Sequence, residues 1–466
     1  MNLWLKWMMV VGELRPACSR MRTFLWLSLC LAGMCIRPDL AGVTSMVRAF
    51  GLREDLYNRL LDLFHSPALD IDVLARLWAA TVLKVFPGVM RINGRLLIVG
   101  DGLKAPKSGK KMPGVKKLHQ ESESNTKPEY IMGHSTQALA ILVGALRTVF
   151  AVPLIGRIHE GIVFSNRTKL TQLDKIILMA DSLALPEFYF IADSYYSARK
   201  VMTALLKKGN HLVTRVKKNA VAYKPAGAAT GTAKKRRPKI YGEKVYLRTL
   251  LNDLAAMCEA ESPVYGEKSV LLRYRSADLL LKRIGLMVRF VAVVHPNRGR
   301  CLLMSTDLSL TPLEIIALYG FRFKIEVTFK QAVRTVGVYS YHFWMKAMTP
   351  IRKSSGDQHL HRKTDAYRKA VRRKMDAYHR FIQVGLIAQG LLQYLSICVP
   401  DLVWAKFGSW LRTIRPGVLP TEQVTSLALN NTLAEFLLGS SPDAIFTKFL
   451  IERIDFKKNN ALGKAA

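Results

Sequence analysis

The sequence predicts an α/β fold: a mixed sheet with flanking helices, a β-rich insertion, and helical N- and C-terminal regions. Three observations predict it. Between residues 93 and 216, apolar runs read in the order strand, strand, strand, helix, strand, helix, strand. After Val216 the composition turns to Ala, Gly, Thr and Lys, and strand-like segments then resume. On both sides of this region, apolar residues recur at helical spacing.

The elements follow in order. Leu56, Leu60, Leu61 and Phe64 form a helical stripe, whereas the stretch before Met21 fits no clear element. "TFLWLSLCLAGMCI" (Thr23–Ile36) is apolar but shorter than the roughly 20 residues that span a bilayer, so it reads as a packed helix. Asn93-Gly94 is a turn signal, and "RLLIVGD" a short buried strand ending at Asp101. The loop from Lys104 to Lys117 carries six lysines and no acid. Two strands meet near Gly144, a helix holds Leu170, Leu173, Ile177 and Ala180, and "EFYFIADS" is a buried strand running into Asp193. The next helix stops at Gly209, before the strand "HLVTRV". Thr311, Pro312 and Glu314 have the pattern of a helix start, with Gly320 a kink point inside the helix. Phe381–Val399 is long and apolar but interrupted by Gln383, Gln389 and Gln393, which predicts a buried helix rather than a membrane span. The regions expected are 1–92 (helical), 93–216 (first part of an α/β core), 217–310 (basic loop and β-rich insertion), 311–345 (a helix completing the core) and 346–466 (basic and helical).

The chain has 70 Lys plus Arg against 34 Asp plus Glu, a formal charge of +36. Such a surface binds polyanions through counterion release, which makes nucleic acid the first expected partner and an anionic membrane the second. Six dispersed cysteines without a C-x-x-C pair exclude a zinc site or a disulfide framework from the reading and fit a cytoplasmic protein.

Against this cationic background three carboxylates stand out. Asp101 and Asp193 follow apolar strands, and ligands of open α/β sheets gather at that edge. Glu326 lies on the later helix, within "LYGFRFKIEVTFKQ". Converging carboxylates suit Mg²⁺, and two such ions about 4 Å apart assist phosphodiester chemistry. The bland alternatives are local: an aspartate capping a turn, or Glu326 paired with Arg322 or Lys330 at helical spacing.

The element order, with "LIVGDGLK", "FIADSYYSARK" and "STDLSLTPLEIIALYGFRFKIEVTFKQ", resembles the DDE transposases of bacterial insertion sequences, whose catalytic domain is ribonuclease H-like. The last stretch is similar to that group's signature of Tyr, two residues, Arg, three residues, Glu, six residues, Lys. Tyr319, Arg322 and Glu326 match it; Val333 stands at the lysine position, with Lys330 and Arg334 nearest. The resemblance implies Asp101, Asp193 and Glu326 as catalytic ligands of two Mg²⁺ ions, with Mn²⁺ able to substitute. It implies cleavage at insertion-sequence ends, transfer of the 3′-hydroxyl to target DNA, and a homodimer on paired terminal inverted repeats in the bacterial cytoplasm, near the nucleoid. Tyr319, Arg322, Lys330, Lys104 and Lys107 are the expected DNA contacts. Trp344 is expected in the core, with base stacking as the alternative. The rival classes are a decayed, non-enzymatic DNA-binding protein and a membrane-associated protein.

Overall fold

A computed structural model of the chain describes residues 2–120, 128–160, 170–227, 239–351, 360–410, 417–439 and 444–457. The chain enters through α1 (Leu3–Gly12), α2 (Met21–Ile36), α3 (Val43–Phe50), α4 (Leu56–His65) and α5 (Ile71–Val85). Then come β1 (Arg91–Ile92), β2 (Arg95–Pro106), β3 (Lys116–His119), β4 (Tyr130–Ala145), β5 (Thr148–Ile158), α6 (Gln172–Ser182), β6 (Phe188–Ala192), α7 (Arg199–Leu206) and β7 (His211–Arg215). With the short β1 and β3 set aside, this is the order expected from the sequence. The insertion supplies β8 (Val221–Pro225), β9 (Tyr241–Tyr246), β10 (Cys258–Glu261), β11 (Leu271–Leu281), β12 (Leu286–His295) and β13 (Gly299–Ser305). The chain closes with α8 (Pro312–Gly320), α9 (Lys324–Gln331), α10 (Asp365–Cys398), α11 (Pro400–Phe407), α12 (Glu422–Asn431), α13 (Leu433–Leu438) and α14 (Ala444–Ile451). The fold is mixed α/β, with helices flanking its sheet strands.

Two compact units make up the chain. One comprises 91–101 and 186–325, the other 1–90, 102–185 and 326–466. In the first, β2 pairs in parallel with β6, from Leu96↔Phe188 to Val99↔Ile191. β6 pairs in parallel with β7, from Tyr189↔His211 to Ala192↔Thr214, the two joined by the crossover through α7. Leu96–Val99 and Phe188–Ala192 are buried throughout, as parallel strands covered on both faces require. α7 ends before Gly209, whose φ of +73° only glycine adopts without strain. β7 continues antiparallel into β13, then β12 and β11, so the insertion extends the core strands rather than forming a separate layer.

In the second unit, β3, β4 and β5 form an antiparallel ladder, and α10 packs on β5 and on α2. α10 is the one described helix long and apolar enough to cross a bilayer, and 94% of its apolar window is buried inside the protein. Each of its three glutamines donates a hydrogen bond there: Gln383 to Leu154 O (2.8 Å), Gln389 to Thr328 O (3.0 Å) and Gln393 to Glu422 Oε1 (3.0 Å). α2 is buried over most of its length, as a packed helix should be.

Three differences from the sequence reading stand out. The segment before Met21 is largely helix: α1 is anchored by Trp4, whose indole donates to Leu429 O (3.1 Å) and stacks on Phe436. Local pattern gave no sign of it because α1 is apolar on most sides and its cover comes from the far end of the chain. Part of the lysine-rich loop is strand β3, which draws its order from β4. Trp344 is 65% exposed rather than in the core.

Candidate active site

Asp101 does not end its strand, as the sequence suggested; β2 runs on to Pro106. What ends near Asp101 is the parallel ladder with β6, whose last pair is Val99↔Ile191. Counting two residues on from each member of that pair reaches Asp101 and Asp193. Asp101, still within β2, and Asp193, just past the end of β6, therefore stand beyond the same end of this parallel ladder.

Asp193 follows β6 directly and adopts extended backbone at φ −76°, ψ 179°. Its Oδ1 accepts from Tyr195 N (2.9 Å), capping the 3₁₀ turn Ser194–Tyr196, so the local capping role is real. Its carbonyl accepts from the buried Thr214 Oγ1 (2.7 Å), which pins this strand end to β7. Nothing in "HLVTRV" marks Thr214 for that task.

Asp101 Oδ2 accepts from Arg322 Nη1 at 3.1 Å, and both side chains are about one-fifth exposed. This half-shielded, charge-assisted pair places the arginine of the signature against the first aspartate rather than out in solvent. Tyr319, three residues earlier, has its hydroxyl pKa raised, chiefly by burial, while Arg322 and Arg215 oppose the rise. The field of Asp193 also reaches Tyr319. Asp101, Asp193, Tyr319, Arg322 and Arg215 thus share one electrostatic neighbourhood, and Arg215 was not foreseen.

The helix start matches the capping signal: Thr311 N donates to Glu314 Oε2 (2.7 Å), and Glu314 N to Thr311 Oγ1 (3.3 Å). At Gly320 the α-helix gives way to a 3₁₀ turn over Phe321–Phe323 before α9 begins. Tyr319, Arg322 and Glu326 therefore do not lie on one unbroken α-helical face; glycine is the weakest ordinary helix former. Glu326 occupies the first turn of α9 and is exposed, as is Lys330. α9 is held from behind by Thr328, whose hydroxyl donates to Ala151 O (2.7 Å) and whose carbonyl accepts from Gln389. A π-turn over Ala332–Val336 follows, and Val333 on it is 45% exposed.

The loop lysines diverge. Lys104 is half-buried, with its ammonium on His119 O (2.6 Å). Lys107 corrects the expectation of a DNA contact, being 6% exposed. Its ammonium meets Tyr341 O at 3.2 Å, also bonds Tyr339 O, and lies 3.6 Å from the centroid of the Tyr341 ring. Burial lowers its pKa to about 7. His134 is fully buried between Tyr341 Oη (2.8 Å) and Pro113 O (2.9 Å), whereas His119 is exposed. Of the basic run Lys234–Lys239, only Lys239 lies within the described residues.

A family model described as "DDE superfamily endonuclease" matches residues 13–268, more than half of the chain. The chain belongs to the DDE superfamily endonucleases. The part of this DDE endonuclease that matches holds both Asp101 and Asp193 and stops before Glu326. No curated relative matches the chain. Among solved structures it resembles a piggyBac transposase, described as a synaptic complex with hairpin DNA. The likeness covers 88% of this chain and 79% of that chain at 10% identity, with a TM-score of 0.32.

Among the described residues, no group of three or more His, Cys, Asp or Glu side chains is gathered closely enough to hold a metal ion. The donor set at Asp101 and Asp193 is nevertheless chemically apt for a hard divalent cation. The two carboxylates supply oxygen ligands only, and the backbone holding one of them is fixed by Thr214.

Proposed function

We propose that this endonuclease is the transposase of a bacterial insertion sequence, cutting DNA at the element's ends and transferring the freed 3′-hydroxyl to target DNA. The observation that carries the reading is the place of Asp101 and Asp193 beyond the same end of the β2/β6 parallel ladder, inside the stretch shared with the DDE endonucleases. Asp101 and Asp193 would hold Mg²⁺, with Mn²⁺ as substitute. Glu326 is the third ligand by its place in the signature, one helical turn beyond Arg322. Bound divalent ions would supply activation of the attacking oxygen and stabilisation of the leaving one. The chain's own part is to orient and to neutralise. Tyr319 and Arg322 flank the acids, and Arg322 is placed to exchange its bond to Asp101 for a backbone phosphate once cations take the carboxylate. Exposed Lys330 on α9 and half-buried Lys104 on β2 are further cations offered for phosphate contact. Paired terminal inverted repeats held by a homodimer complete the reading.

The test is a set of three substitutions, Asp101→Asn, Asp193→Asn and Glu326→Gln, assayed for Mg²⁺-dependent nicking of end-containing duplex and, separately, for DNA binding. Each should abolish nicking while leaving affinity within a few-fold of wild type. A variant that still cuts removes its residue from the site. A second reading, a DNA-binding protein that has lost catalysis, draws on Val333 at the lysine position and on the Arg322 charge already committed to Asp101. Absence of metal-dependent nicking by the unaltered chain, with binding intact, would favour it.

A further inference from the structure

Directly after Asp193, the chain helps to wall a cavity of about 560 Å³ that no role described so far uses. The 3₁₀ turn capped by Asp193 contributes Ser194 and Tyr195, and the start of α7 contributes Ala198. The facing walls come from the insertion: Lys217, Asn219 and Val221 lead into β8, and Arg283 comes from the turn between β11 and β12. Arg283 Nη1 donates to Ser197 O (3.1 Å), which ties that turn to the Asp193 turn. Lys217, Arg283 and Tyr195 are all exposed, with Tyr195 50% accessible.

Three features of this cavity point to one ligand chemistry. Its lining carries two cations and no acid, so its potential is positive although Asp193 is the preceding residue. Ala198 is the N-cap of the eight-residue α7 and makes no side-chain cap bond, so the positive end of a helix dipole faces the cavity without a carboxylate or hydroxyl of its own. The phenol ring of Tyr195 offers an aromatic face of the kind on which bases and sugars pack. The volume lies within the range of small-molecule sites and accepts one nucleotide unit.

We propose that this cavity is a nucleotide subsite. It seats one phosphodiester of the DNA strand beside the cutting site on Lys217, Arg283 and the α7 N-terminus, with the attached nucleoside against Tyr195. The insertion then does more than extend the sheet: it builds the outer wall of the substrate groove. The identity of the strand as DNA rests on the function proposed above; the anionic, nucleotide-sized character of the site does not.

The experiment uses the full chain and a fluorescein-labelled 30-base-pair duplex of fixed sequence, with affinity read by anisotropy across a salt series. Removal of one phosphate contact lowers the slope of log K against log salt by about 0.9. Lys217→Ala combined with Arg283→Ala should show that drop, together with at least tenfold weaker binding at low salt. Lys207→Ala combined with Lys208→Ala, at the far end of α7, should leave the slope unchanged. Equal losses from both pairs, or none from the first, would overturn the subsite in favour of diffuse surface charge. Ala198→Asp supplies a variant with opposed signs. A carboxylate at the N-cap stabilises α7 and raises the melting temperature, yet it should weaken binding at least fivefold by occupying the phosphate position. A more stable variant with unchanged affinity would also overturn the proposal. Asp193→Asn separates the two readings: lost nicking with an unchanged salt slope speaks to catalysis alone, whereas the Lys217 and Arg283 pair speaks to the subsite alone.

Discussion

Replacing Lys107 with methionine should change how the protein's stability depends on pH. The lysine stem and ammonium are buried against Tyr339 and Tyr341, and burial lowers the pKa from 10.5 to about 7. Between those values the unfolded chain binds the proton more tightly than the folded one, so wild-type stability must rise with pH across that window. The difference corresponds to about 5 kcal/mol in full, at 1.36 kcal/mol per pH unit, and about 3 to 4 kcal/mol of it falls between pH 7 and pH 10. The carbonyl of Tyr341 at 3.2 Å and the ring face at 3.6 Å favour the charged form, so that figure is an upper bound. Methionine matches the stem and cannot titrate. Urea unfolding of both proteins at pH 7, 8.5 and 10 isolates the effect, because every other titrating group cancels in the difference. Wild type should gain on Lys107→Met steadily as pH rises. A stability difference that stays flat over this range would mean that the ammonium reaches water, and the DNA-contact role would be reopened.

Other outcomes follow from the same geometry. Trp4→Ala should lower stability by about 3 to 5 kcal/mol, read by urea midpoint, since it empties a fully buried indole site and strands the Leu429 carbonyl. Gln389→Leu should cost about 1 to 3 kcal/mol by removing the donor to Thr328 O, and should depress nicking more than DNA affinity if α9 presents a metal ligand. Arg322→Lys should keep a positive charge near Asp101 but lose the planar fork, lowering the nicking rate while leaving the salt slope of binding near wild type.

Much of the core was legible in the sequence because its strands are buried on both faces and its helices are amphipathic. Leu96–Val99 and Phe188–Ala192 are apolar runs that only a covered parallel strand explains, and Thr311 with Glu314 is a complete helix-start signal. Asp193 at a strand tip came from the same logic. The misses share a cause: the deciding partner is remote. Lys107 is buried by carbonyls at positions 339 and 341, and α1 is covered by residues near 430, so no local window could reveal either. The continuation of β2 past Asp101 was hidden because Gly102–Pro106 lacks an apolar run and takes its strand form from β4. Lys217 and Arg283 each read as ordinary surface charge; only the fold brings them to one cavity.

The indole of Trp4 bonds a carbonyl 425 residues downstream, and α1 and α2 belong to a unit that also needs the last third of the chain. At roughly 5 to 20 residues per second, a ribosome takes about 20 to 85 s to deliver that partner after the tryptophan is made. For that interval the indole of Trp4 waits without its carbonyl partner, and α2 waits for α10, which packs on it. A nonsense codon ahead of α10 removes both covers, and its product is expected to aggregate rather than persist as a partly folded competitor.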